Sequence, residues 1–553
     1  MPSFDPQRPA LIIDDCPMYR TAARGMLQKL GVSSELIFFA KDAPSALEQC
    51  RNRRFQLVLC DYNLGEGANG HQLIDELRHS ALLAADCVLA IVTADASAEV
   101  VRGFAELQPD GYLVKPLNFS NLSKRLPTIA HKKLSLARVH QAMAQQDYHM
   151  ALHLVDNLVI GGSEFSLSAL LIKAEALMHL GEYEQARNQL VGLNLDAEKG
   201  QVNLLLAELS LRQKQYPLAE ALLLKLENDP MLCALAKEKM AIKLLRQQRV
   251  AEAYAKLEEA LAHSPKNTQR QIFKAQLAMA NFELPAAALS INAALHLARH
   301  SFRETLSLHQ QVAQLTLDLA QFSEDNGQQS SLQRRFAEQC RRLRGRFQRK
   351  DYKPLELLML ARSNGIQGYI GKARQMLADY HSWLEQQEQH QPSVLEDLEL
   401  AKVYQLLSFP QEYKAQLRVA QHSLLKLSDS DQSLMLQRYL SKWQERVDGM
   451  QAKANRLKEQ SQRAYRDQNF ERATGLLVQA LELNRSDLEI PARLTTCLTK
   501  AWPLGWSKSE VIELALRCRE LLKGSSLSSQ PRYQTSSRAL SGQLQVQELE
   551  TSN

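Results

Sequence analysis

One short pattern returns along the middle of this chain: an aromatic or aliphatic residue, two others, then alanine. It stands as Tyr148/Ala151, Tyr183/Ala186, Tyr216/Ala219, Val250/Ala253 and Leu284/Ala287, with the alanines 35, 33, 34 and 34 residues apart. Four residues beyond each alanine comes Val155, Leu190, Leu223, Leu257 or Ile291, and seven beyond comes Leu158, Leu193, Leu226, Ala260 or Ala294. Positions so spaced share one face of a helix. A single such unit cannot bury its apolar face, so the recurrence demands stacking of neighbours into a solenoid. The small alanines let helices approach closely, which is a packing role. Pro217 and Pro285 hold the same repeat position, where a first-turn proline forfeits no hydrogen bond.

Paired helices at a period near 34 residues resemble the tetratricopeptide repeat. The unit ending AEAYAKLEEALAHSP fits best, with Pro265 twelve residues after Ala253. GYIGKARQMLADY (368–380) and QNFERATGLLVQAL (468–481) read as weaker copies. Residues 300–360 and 395–460 read as helical but off the period, so longer or diverged helices are expected there. The resemblance implies an extended surface for a protein partner of unknown identity.

The first 125 residues alternate differently. Strand candidates are Ala10–Ile13, Leu36–Ala40, Phe55–Cys60, Cys87–Val92 and Gly111–Val114. Helices are expected near Met18–Leu30, Ala43–Arg51, Gly70–His79, Ala98–Leu107 and Asn118–Leu126, the last curtailed by Pro127 before helix resumes at Ala130–Gln145. Alternating βα units imply a doubly wound, five-stranded parallel sheet, flavodoxin-like, with helices on both faces.

Chemistry gathers at the strand ends. The first strand ends in Asp14 and Asp15, the third in Asp61 (LVLCDYNLGEGANG, 57–70), the fourth in Thr93 and the fifth in Lys115-Pro116. Parallel strands point these ends the same way, so three carboxylates, a hydroxyl and an ammonium can converge. Clustered carboxylates need a cation, and hard oxygen ligands without His or Cys suit Mg²⁺. A lysine beside such a metal makes sense where an oxyanion must also fit. Together these groups make an electrostatic kit for phosphoryl transfer.

Asp14/Asp15, Asp61, Thr93 and Lys115/Pro116, in that order, resemble the receiver domain of two-component response regulators over about residues 8–126. The resemblance implies that Asp61 accepts a phosphoryl group from a histidine kinase or phosphotransfer protein. It implies Mg²⁺ on Asp14, Asp15, Asp61 and the backbone carbonyl of Asn63, with Lys115 and Thr93 on the phosphoryl oxygens. Tyr112, in GYLVKP, matches the aromatic switch position. One departure is Gly65, where the family usually carries proline; the loop also reads one residue longer before Gly70. Self-phosphorylation and slow hydrolysis at Asp61 are expected, without turnover of a diffusible substrate.

Net charge is +6, yet the first 125 residues hold 13 basic and 15 acidic residues. The excess lies in SLQRRFAEQCRRLRGRFQRK (331–350), with eight basic residues against one acidic. Leu332, Phe336, Cys340, Leu343 and Phe347 fall at helical spacing there. An amphipathic helix is expected, with Arg334, Arg335, Arg341, Arg342, Arg344, Arg346, Arg349 and Lys350 as a basic partner surface. Its alternatives are a solvated or acid-paired face, an acidic protein partner, or RNA, DNA or anionic lipid. Sequence-specific reading of nucleic acid is not favoured, because base-stacking aromatics beyond two Phe and a helix-turn-helix signature are missing.

Composition excludes other classes. No apolar run approaches the ~20 residues of a membrane span, and MPSFDPQRPALIIDD lacks the basic-then-apolar order of a secretory signal. Eight scattered cysteines without metal-like spacing read as reduced thiols in a cytoplasm. His149/His153 and His296/His300 stand four apart but have no third ligand nearby. The expected organisation is a receiver at 1–126, about five repeats at 130–300, a diverged helical region at 301–523 and a disordered, serine-rich tail at 524–553. A phosphorylation-controlled repeat scaffold is the leading reading. Its rivals are a receiver-controlled nucleic-acid regulator and a phosphate-independent adaptor.

Overall fold

The computed structural model describes residues 4–65, 67–94, 109–193, 199–323, 325–387, 389–485 and 487–546. Five parallel strands, β1 (Ala10–Ile13), β2 (Ile37–Ala40), β3 (Leu57–Asp61), β4 (Val88–Thr93) and β5 (Gly111–Val114), form one sheet in the order β2-β1-β3-β4-β5. The central strands are buried along their whole length, as continuous apolar runs in a doubly covered sheet require. Side chains alternate between two cores. Leu11, Ile13, Val58, Cys60, Leu89 and Ile91 pack under helices α2 (Ala43–Asn52) and α3 (Gly70–His79). Ile12, Leu57, Leu59, Ala90 and Val92 pack under α1 (Pro17–Lys29) and α4 (Phe119–Ala144). The helix expected near Ala98–Leu107 lies outside the described residues.

The expectation that Pro127 ends the last receiver helix is corrected: α4 runs 26 residues straight through it. A proline inside a helix removes one hydrogen bond and costs about 3 kcal/mol. Burial on both sides offsets that loss. Leu122, Leu126 and Ala130 sit against the sheet, and Leu136, Val139 and Ala142 against the first repeat helices. One helix therefore belongs to both the sheet and the helical region.

By contacts the chain divides into two compact units, residues 1–274 with 293–304, and 275–292 with 305–553. Helical hairpins recur in both. The second helix of each hairpin starts at Tyr148, Tyr183, Tyr216, Val250, Leu284, Ile370, Pro410 or Phe470. Two residues earlier stands a left-handed residue: Gln146, Gly181, Lys214, Gln248, Phe282, Gly368, Ser408 or Gln468. At each turn the next residue's N–H reaches back five positions, as in Asp147 N to Ala142 O and Arg249 N to Leu244 O, both 2.9 Å. This is the Schellman closure of a helix end. The repeated alanines are buried as core. The Pro410–Leu425 hairpin lies inside 395–460, a stretch that reads as off the period in sequence; it is followed by the 37-residue helix Ser430–Arg466.

Two features of unit 305–553 escape sequence patterning. Arg362 is wholly buried, 2.6 Å from Asp318 and 2.9 Å from Glu399, and Lys402 is 2.8 Å from Asp318. Tyr439 donates to the second Asp318 oxygen at 2.5 Å. The second is a correction: the expected disordered tail contains a helix, Pro531–Leu544. Its buried face is Tyr533, Ser537, Leu540, Ser541 and Leu544. Serines fill two of those five positions, so the face has too few apolar residues to register as amphipathic.

The basic segment forms the helix Asn326–Arg346, with Leu332, Phe336, Cys340 and Leu343 buried. Arg334, Arg335, Arg341, Arg342, Arg344, Arg346, Arg349 and Lys350 are exposed. Arg342 pairs with Glu338 and Arg344 with Glu356.

Candidate functional site

The sheet brings Asp14, Asp15, Asp61 and Lys115 into one pocket. Lys115 Nζ lies 2.8 Å from Asp14 Oδ2 and 2.8 Å from Asp61 Oδ2. One carboxylate oxygen from each of Asp14, Asp15 and Asp61 falls within 4.8 Å of the others. Asp14 and Asp61 are buried and Asp15 is exposed. Backbone N–H groups orient the acids, with Cys16 N donating to Asp14 Oδ1 at 2.8 Å and Tyr62 N to Asp61 Oδ1 at 2.7 Å. Arg20 donates to the Asp14 carbonyl, and the ring of Tyr19 lies 4.1 Å from Lys115 Nζ. Three carboxylates thus share one ammonium, an excess of acid that suits a divalent cation. Among the described residues this is the one group of three potential metal ligands.

Burial pushes the Asp61 carboxyl above its ordinary value, with Lys115 opposing the rise and Asp14 adding to it. Burial would lower the Lys115 ammonium, but its bonds to Asp14 and Asp61 outweigh that and raise it. Thr93 ends β4, buried, and its carbonyl accepts the Lys115 N–H at 2.8 Å. Tyr112, on β5, is partly buried against the α2/α3 core. Asn63 is exposed on the loop after Asp61.

That loop explains the missing proline. Gly65 has φ +73°, a left-handed conformation closed to proline, and a Cβ there would stand 3.6 Å from Asp15 Oδ2. Gly70 is a packing position that motif reading passes over. Its N–H donates to the Tyr62 carbonyl at 2.7 Å, and a Cβ would lie 2.1 Å from the Asp61 carbonyl oxygen. Only glycine lets the start of α3 close onto the strand end.

A second set of residues, also invisible in sequence, ties α3 to the end of the repeats in the first unit. Gln72 accepts from Asn69 N–H at 2.9 Å, closing the α3 cap, while its Nε2 donates to the Leu297 carbonyl at 2.6 Å. Asp75 takes a two-pronged ion pair from Arg303. His79 stacks on Phe302 with centroids 4.2 Å apart. The contacts join segments more than 220 residues apart in sequence.

A doubly wound sheet whose strand ends gather acids around a lysine defines a receiver-type domain, joined here to helical repeats. Residues 10–127 match the family model of the response regulator receiver domain. Over 137 residues the chain is 34% identical to the transcriptional regulatory protein ZraR of Escherichia coli O157:H7, covering 25% of this chain and 30% of that protein. Over 129 residues it is 32% identical to the sensor histidine kinase AruS of Pseudomonas aeruginosa, covering 23% and 12%. Among solved structures, the chemotaxis response regulator CheY4 of Vibrio cholerae is 23% identical over 22% of this chain and 98% of that one, at a TM-score of 0.20. The chain spans under a third of the length of these curated relatives. Residues 10–127 are a receiver domain, followed by a long helical-repeat region. Among the described residues no helix is long and apolar enough to cross a membrane.

Proposed function

We propose that this protein is a cytoplasmic phosphorelay response regulator whose output is a protein-binding helical scaffold. The observation that carries the reading is Lys115 bridging Asp14 and Asp61 at 2.8 Å each, with Asp15 alongside. Asp61 attacks the phosphorus of a phosphohistidine or small phosphodonor. A P–O bond to the carboxylate forms as the bond to the leaving group breaks, and water later hydrolyses the acyl phosphate. Asp14, Asp15, Asp61 and the Asn63 carbonyl would hold Mg²⁺, which supplies charge neutralisation for the transferred group. Lys115 and Thr93 then bind phosphoryl oxygens, and Tyr112 follows the Thr93 hydroxyl. A histidine kinase or phosphotransfer protein is the donor.

Transfer removes Lys115 from its bond with Asp61 and disturbs the 61–70 loop. Gln72 caps α3 at that loop and holds the Leu297 carbonyl, so the loop's state reaches the repeats through one side chain. The test is incubation with Mg²⁺ and acetyl phosphate, reading the mass adduct and hydrogen exchange of α3 and 297–303. An acid-stable, alkali-labile adduct of one phosphoryl on wild type, absent from Asp61→Asn, with faster exchange at 297–303, is expected. No adduct, or an equal one on Asp61→Asn, refutes the reading; an adduct without changed exchange refutes the relay.

A second reading rests on the exposed arginines of Asn326–Arg346. Arg334 and Arg341 are seven residues apart, and Arg335 and Arg342 flank them, so the four lie on the face opposite Phe336 and Leu343. Such a face suits a polyanion. Salt-sensitive retention of RNA or DNA, lost when those four become Gln, supports a nucleic-acid partner; retention of neither leaves the protein-binding scaffold.

A further inference from the structure

Unit 305–553 contains a cavity of about 740 Å³, within the size range of small-molecule sites. Its walls come from the ends of the helices Leu306–Phe322, Val394–Leu406 and Phe470–Leu483 and from the middle of Ser430–Arg466. Arg485 stands on the wall, its guanidinium donating to the Ile366 backbone carbonyl. Among the described residues no carboxylate lies within ion-pair distance of it. Burial, reinforced by neighbouring Arg517, pushes its pKa down to about 10.

The same unit treats its deepest cations otherwise. Arg362 has carboxylates at 2.6 and 2.9 Å, and Lys402 has one at 2.8 Å. Arg485 is only partly buried, and Glu482 on the same wall opposes its shift, but it has no direct ion-pair partner, and a partly desolvated cation without one is costly. Arg446 and Lys453 line the same space. Of the two lining glutamates, Glu445 is already engaged by Lys442 at 2.9 Å. Gln321 and Gln405 also line it, each with a buried amide oxygen that accepts no hydrogen bond among the described residues. The wall thus offers a fork for an oxyanion and a surplus of positive charge, with Phe322 and Leu457 as apolar surface.

We propose that this cavity binds a small organic anion. Its carboxylate or phosphate pairs with Arg485, whose planar fork matches either group. The site is separate from the receiver pocket and does not depend on phosphorylation.

The experiment is thermal melting of the full chain in low chloride with glutamate, citrate, adenosine 5′-monophosphate and, as control, inorganic phosphate. A saturable rise of several degrees with an organic anion is expected, and the carboxylate and nucleotide arms identify which oxyanion is taken. The same rise must appear in Asp61→Asn, which excludes binding at the receiver. Arg485→Met should abolish the rise while melting, without ligand, at or above the wild-type temperature, because a desolvated cation is gone. No rise with any organic probe, a rise no larger than that from inorganic phosphate, or a rise retained in Arg485→Met overturns the proposal. So does a lowered ligand-free melting temperature in Arg485→Met, which would make Arg485 a structural cap of the Ile366 carbonyl.

Discussion

Asp75 on α3 and Arg303 beyond the fifth repeat form a two-pronged ion pair across 228 residues of sequence. Both side chains are largely shielded, at 18% and 26% exposure, so solvent screening weakens but does not remove the attraction. Arg303→Ala and Asp75→Ala should each destabilise the protein, and a double-mutant cycle should return a coupling of about 1 kcal/mol. Urea unfolding of the three variants measures it. Additive effects would mean that the pair holds nothing in place.

Asp61 is a buried acid beside Asp14, and its carboxyl is raised by burial. A raised folded-state value means that stability is fully present below the ordinary carboxylate range and is lost as pH rises through the raised value. Asp61→Asn removes that dependence. The melting temperature of Asp61→Asn should therefore exceed that of wild type by a margin that grows from pH 4 to pH 7. Added Mg²⁺ should narrow the margin by stabilising only the wild type. A margin that shrinks with pH contradicts the charge argument.

Gly70 leaves no room for a methyl group, since its Cβ would lie 2.1 Å from the Asp61 carbonyl oxygen. Gly70→Ala must shift the loop or α3. A loss of about 1–3 kcal/mol is expected, along with at least roughly a tenfold drop in acetyl-phosphate labelling, because small misplacements weigh heavily on transfer. Normal labelling kinetics in Gly70→Ala would show that the closure is not needed.

Lys214 and Gln248 hold φ of +59° and +64° at hairpin turns where Gly181 and Gly368 do the same job without strain. Left-handed backbone costs a residue with a Cβ about 1–2 kcal/mol, partly cancelled by glycine's extra freedom when unfolded. Lys214→Gly and Gln248→Gly should each raise stability by about 0.5–1 kcal/mol in denaturant melts.

Arg362 neutralises Asp318 and Glu399 inside the second unit. Arg362→Met should cost about 3–5 kcal/mol, since it leaves buried carboxylate in excess of Lys402. Replacing Arg362 together with Asp318 and Glu399 by apolar residues should recover most of that. A harmless Arg362→Met would show that water reaches the cluster.

Strand ends and repeats were legible because both are periodic and local. β1 and β5 fall where the apolar runs predict, and the five hairpins from Tyr148 to Leu284 follow the alanine spacing, since burial of one face imposes its period on the residues that make it. The acid–lysine pocket followed because parallel strands must deliver their ends to one edge. Pro127 misled, because the burial that overrides a helix breaker lies on two different layers. The tail helix misled for the opposite reason: serine can be buried when its hydroxyl finds a partner, as Ser541 does at the Val546 carbonyl.

Sequence alone determined the five strands, the first five hairpins and the groups at the sheet edge, all consequences of spacing along the chain. Tertiary structure alone decided the rest: the Gln72 bridge, the Asp75–Arg303 pair, the Arg362 cluster and Arg485 on its cavity wall. Each depends on which residues meet across tens to hundreds of positions. A lone charged side chain carries no mark of its future partner, because Coulomb attraction and desolvation act through space.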